Sequence, residues 1–243
     1  MSSLSHSKSK LVRFDDLSTL PVPVPLGAQH NPVPHSLLVD ALRVEAQERG
    51  YDITREQLAL GMSGSALFGV MDLMPRGVVS VDDSRGLSLG FRNSTNATLA
   101  IKMVAGTRVF VCDNLALSGD LIAVLRRNTR GLDLVDALKR GFDKFQQHAT
   151  TLDLHIMRLQ ATMISDLEAK ARVFDVFASR IVPVHLFDDV EKSYFHPADT
   201  MTDCQPRTAW ALHNAFTRAL QKLTPGRKLD ATVALGRAFG MTE

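Results

Sequence analysis

Cysteine is scarce in this sequence: two residues, Cys112 and Cys204, stand far apart, with no Cys-x-x-Cys and no Cys/His quartet beside them. That scarcity excludes a disulfide framework, gives no structural zinc site and makes a reducing cytoplasm the expected compartment. One-sided charge is missing too. The 243 residues carry 28 Lys and Arg against 26 Asp and Glu, a formal net charge of +2, far below the basic excess of a protein that coats nucleic acid. Any such affinity must sit in a local patch. No run reaches the roughly 18 to 20 apolar residues that span a bilayer, and Met1 to Lys10 is rich in Ser and Lys without an apolar leader core. Neither membrane insertion nor secretion is expected. No Gly-x-Ser-x-Gly and no phosphate loop appears, so no catalytic residue and no cofactor is assigned. His148 and His155 lie seven residues apart near Asp153, about 10 Å along a helix and too far to share a metal easily. They read as structural histidines, and no metal site is expected.

What is present is a core. Hydrophobic residues make up 45% of the chain, enough for one large globular body at this length. Residues 1–34 are polar and then punctuated by Pro21, Pro23, Pro25, Pro32 and Pro34, which remove backbone donors and hold the chain extended. They are expected to form a flexible arm, followed by a single domain over 35–243. Leu37, Leu38, Ala41, Leu42, Val44 and Ala46 suit a helix opened by Ser36 as a cap and closed by Gly50. Five short apolar-rich strands follow at 51–61, 66–74, 87–92, 99–104 and 108–112, separated by Gly, Asn, Asp and Ser. The stretch between Pro75 and Gly86 is expected to be an exposed loop.

After Asn114 the period changes. Leu132, Val135, Leu138, Phe142 and Phe145, continued by Leu152, Ile156, Leu159 and Met163, recur at helical spacing. A further amphipathic stretch follows Ser165 and Asp166, Pro183 interrupts before residues 186–195, and two closing helices span 208–223 and 228–239 around the turn Thr224, Pro225, Gly226. The pattern predicts an α+β fold: an antiparallel β-meander in the N-terminal half (35–115 with its helix) packed against a helical C-terminal half (116–243), the helices on one face or one end of the sheet.

Gly90-Phe91-Arg92-Asn93-Ser94-Thr95, followed by Gly106-Thr107-Arg108-Val109-Phe110-Val111-Cys112-Asp113-Asn114, resembles the signature of the phage- and plasmid-like family called domain of unknown function 932. Arg126-Arg127-Asn128-Thr129 and the stretch from Trp210 to Thr217 extend the likeness, with Asn128 where the family tends to show a histidine. The resemblance implies a mobile-element setting and brings no activity with it. Helix, meander, helix is also similar in topology to annealing proteins of recombination.

Three functions follow as expectations. The leading one is a non-enzymatic nucleic-acid-binding protein, recombination- or annealing-related and a homo-oligomer, contacting phosphates through Arg92, Asn93, Lys102, Arg108, Arg126, Arg127 and Arg130. Ser94, Asp113, Asn114 and Asn214 are the motif's remaining polar residues; Asn93, Ser94 and Asn114 also read as turn closures and Arg92 as the partner of Asp113. The second is an interaction module that captures a host or phage protein through the arm and the loop at 75–86. The third is an enzyme with Arg92, Asn93 and Asp113 lining a pocket.

Overall fold

The computed structural model describes residues 4, 9–77, 85–109, 114–117, 128–197 and 207–241. Six strands, β1 (Ser9–Val12), β2 (Tyr51–Gly61), β3 (Ala66–Pro75), β4 (Arg85–Ser94), β5 (Lys102–Val109) and β6 (Asn114–Leu117), form one antiparallel sheet in the order of the chain. Before β2 come α1 (Phe14–Ser18) and α2 (His35–Glu48). After β6 come α3 (Leu134–Ala161), α4 (Asp166–Ala178), α5 (Phe187–Phe195), α6 (Ala209–Ala219) and α7 (Pro225–Ala238). The expected α+β division therefore holds: sheet first, helices second.

Side chains alternate across a strand, and here both sides of the sheet are covered. Leu67 and Met71 of β3, Leu89 and Phe91 of β4, and Met103 of β5 pack with Leu38 and Leu42 of α2 and Phe142 and Phe145 of α3. The alternate positions Phe68, Val70 and Val104 pack with Leu229 and Val233 of α7. Helices thus lie on two faces, where the sequence suggested one face or one end. The cause is β3, whose residues Ala66 to Leu73 are buried without a break. A strand apolar on both faces must be covered on both. A third cluster, built around Tyr194, Trp210 and Phe216, joins α4, α5 and α6 to the C-terminal half of α3.

Several boundaries move for physical reasons. Ser36 is not the cap of α2: Pro34 is the N-cap residue and supplies no side-chain bond. The strand expected at 99–104 and the first residues of the one expected at 108–112 form one strand, β5, which runs through Gly106, paired with Ser88; residues 110–112 lie outside the described residues. The last helix starts at Pro225 rather than Lys228, because proline fits the first turn, where no N–H partner is needed. The arm contributes β1, paired in register from Ser9–Gly61 to Val12–Leu58, and buries Leu17 and Val33 in the sheet-side core.

Candidate functional site

β4 ends on two polar residues that the alternation of the strand sends to opposite faces. Arg92 is the cross-strand partner of Phe68 on the α7 side, and Asn93 that of Leu67 on the α2 side. The two do not line a common pocket.

Asn93 is fully buried and organises one end of the sheet. Its Nδ2 donates to the Val33 carbonyl at 2.8 Å and approaches His35 Nδ1 at 3.0 Å, while its Oδ1 accepts from Asn128 Nδ2 at 3.0 Å. Asn128 Nδ2 also donates to the Ser94 carbonyl at 2.9 Å. Carbonyl groups fix the direction of the chain of bonds. The Gly64 carbonyl, 3.1 Å from His35 Nε2, can only accept, so Nε2 carries the proton and Nδ1 accepts from Asn93. Burial pushes the His35 pKa below the ordinary histidine range, opposed by the bond to the Gly64 carbonyl. His35 is therefore a neutral ring with both nitrogens engaged, a positioning group rather than a free base. Ser94 closes its turn as expected, accepting from Leu99 N–H and donating to the Leu99 carbonyl.

The Gly64 carbonyl belongs to a turn in which Met62, Ser63 and Gly64 have φ of 49°, 55° and 91°. Left-handed backbone at two residues with a Cβ is strained, and such strain persists only where the surroundings hold it. Beside this turn lies a cleft of about 470 Å³. One wall is apolar, with Leu17, Leu20 and Pro21 from the arm; the other is polar, with His35 and Ser36 at the start of α2, Ser63 and Ser65 from the turn, and Thr95 after β4. None of the lining residues carries a full charge. With no capping side chain on Pro34, the first N–H groups of α2 have no partner of that kind and favour an acceptor.

On the other face Arg92 Nη1 donates to Asp230 Oδ2 at 2.8 Å, and Lys102 Nζ donates to Asp230 Oδ1 at 2.7 Å. Burial alone would raise the Asp230 carboxyl; the bond from Lys102 and the charges of Arg92 and Lys102 outweigh it and hold the group below the usual carboxylate range. Arg108 and Asn114 take their places in β5 and β6. Asp113, Arg126 and Arg127 lie outside the described residues, so the partner that the structure gives Arg92 is Asp230. Arg130 is exposed on the turn before α3. That turn is pinned to the arm, for Arg130 N–H donates to the Gln29 carbonyl and Asn31 N–H to the Asn128 carbonyl. Asn214 is buried in α6, and Thr217 Oγ1 donates to its carbonyl. The arm exposes Val22, Val24 and Leu26.

Sequence reasoning missed His35, Asn128 as a structural partner, the strained turn and Asp230. The one readable signal was Pro34, a helix start without a capping side chain. Among the described residues no group of His, Cys, Asp and Glu stands ready to hold a metal ion, and no helix is long and apolar enough to cross a membrane. No curated protein and no solved structure matches the chain. Residues 26–239 match the family model described as Domain of unknown function (DUF932), a span that includes α2, the turn, β4, Asn128 and α7. The chain belongs to that family.

Proposed function

We propose that the protein acts by binding rather than by covalent chemistry, and that its ligand occupies the cleft between the arm and the start of α2. The observation that carries this reading is the cleft itself. Its volume of about 470 Å³ is in the range of small-molecule sites, and it pairs an apolar wall with a few convergent polar groups. Because the lining is uncharged, the ligand is a small, mainly neutral molecule with an apolar body and an acceptor group facing α2. The His35–Asn93–Asn128 chain fixes the polar wall in advance, which lowers the ordering cost of binding. Ser36→Trp fills the cleft from its rim. In a fragment screen read by protein NMR, binders of the wild-type chain should perturb Ser36 and Thr95 and lose binding in that variant. Binders that all map elsewhere would sink the reading.

Nucleic-acid contact remains a second reading, favoured by one observation: exposed Arg130, which follows Arg126 and Arg127 after Asn128 and Thr129 in the sequence, is held in place against the arm. In the mobile-element setting that the family resemblance implies, a short basic segment of this kind tracks a phosphate backbone. Titration of single- and double-stranded DNA at two salt concentrations tests it, because phosphate contacts weaken steeply with salt. Absence of binding at low ionic strength counts against it.

A further inference from the structure

On the face of the sheet opposite the cleft, two cations share one acid. Arg92 and Lys102 are direct cross-strand partners, an arrangement in which like charges repel. One cation would suffice to bond α7 to the sheet. Asp230 accepts from both, so among the described residues one positive charge is left over, in a place where the Lys102 side chain is 11% exposed and that of Arg92 15%. Donors are left over as well. Arg92 Nε is buried without a hydrogen-bond partner among the described residues, and an ammonium group has three N–H bonds to give. The acid differs: the Asp230 side chain is 53% exposed. The opening to solvent is therefore on its side, and its carboxylate can turn outward while Leu229 and Val233 keep α7 on the sheet.

A phosphate group matches this pair of cations better than a carboxylate does. It brings up to two negative charges, and its oxygens suit the planar fork of arginine with a lysine beside it. We propose that Arg92 and Lys102 form a phosphate-binding site in which Asp230 is a resident stand-in, displaced when a phosphate group arrives. Free phosphate, phosphate esters and a nucleic-acid backbone share this chemistry. The site stands on the ion pairs alone and does not rest on the cleft, which lies across the sheet.

Asp230→Asn removes the competing charge while keeping the shape of the side chain. Inorganic phosphate, titrated at constant ionic strength against chloride, should bind this variant about tenfold tighter than the wild-type chain, as expected from losing one charge-assisted competitor. Lys102→Met should abolish the binding in both backgrounds. A second arm uses a single-stranded oligonucleotide: binding that rises in Asp230→Asn and falls in Asp230→Asn/Lys102→Met identifies a backbone phosphate as the source, and a response to inorganic phosphate alone identifies a free phosphate or ester. Should Asp230→Asn fail to fold, the wild-type chain decides, because phosphate should raise its melting temperature above the chloride control and Lys102→Met should erase the difference. Equal phosphate binding in wild type and Asp230→Asn, or no phosphate-specific shift in the wild type, overturns the proposal.

Discussion

His213 shows what one residue does to the pH dependence of the whole chain. Its ring is fully buried, stacked on Trp210 with centroids 5.3 Å apart and planes within 8°, and set edge-on to Phe239. Neither ring nitrogen has a hydrogen-bond partner among the described residues. Burial lowers its pKa from 6.5 to about 3, so the folded chain keeps the ring neutral while the unfolded chain protonates it below pH 6.5. The unfolded state then binds the extra proton, and stability falls as pH drops through the window from 6.5 towards 3. By pH 5 the loss from this residue is about 2 kcal/mol relative to pH 8. Urea unfolding between pH 5 and 8 should show that slope, and His213→Leu should flatten it; equal slopes in the two proteins would refute the assignment. Asn93 acts through satisfaction rather than charge. Asn93→Ala strands the Val33 carbonyl and His35 Nδ1 and removes one of the two acceptors of Asn128 Nδ2, a loss of about 2 to 3 kcal/mol. Unfolding free energy measures it, and a change under half a kcal/mol would show that the network is dispensable.

At the scale of elements, β3 explains why the sheet is covered on both sides, and Gly69 why it tolerates no more bulk. The Phe91 ring lies over Gly69, so that a Cβ there would stand 2.0 Å from Phe91 Cζ. Gly69→Ala should destabilise by about 2 to 3 kcal/mol through overpacking, and Gly69→Ala/Phe91→Leu should recover part of that in the same denaturant assay. The elements were legible to different degrees. α3 showed in its helical period and α4 in Ser165, which forms the capping box with Glu168, because both signals are local. β3 is legible as a short apolar-rich strand, but the helical layer on its second face depends on α7, more than a hundred residues further along the chain. β1 escaped because four residues in a polar segment acquire strand character only by pairing with β2. Strand alternation, which sends neighbours on one strand to opposite faces, runs against the pocket expected to hold both Arg92 and Asn93. Their partners were illegible, since Asp230 and Asn128 lie far along the chain and no local pattern marks a long-range bond.

For the molecule as a whole, α3 joins two of the three apolar clusters, the core between α2 and the sheet and the helical cluster. Its 28 residues extend about 42 Å at 1.5 Å per residue. Leu138, Phe142 and Phe145 belong to the core under the sheet, whereas Leu152, Ile156 and Leu159 belong to the helical cluster. Arg49 at the end of α2 ties the first half, bonding to Asp143, Gln146 and the Lys139 carbonyl. Between these two sets of contacts the rod must stay rigid for the sheet to sense the helices. A proline at Thr151 removes a backbone donor and clashes one turn back, at a cost of about 3 kcal/mol, without touching either core. If α3 couples the cores, Thr151→Pro should split a single unfolding transition into two, with near-ultraviolet signals from Trp210 and Tyr194, both in the helical cluster, melting apart from the β-sheet signal. Coincident transitions in Thr151→Pro would mean that α7, which packs on the sheet through Leu229 and Val233 and on the helical cluster through Leu235 and through Phe239 just past its end, couples the sheet to the helical cluster without help from α3.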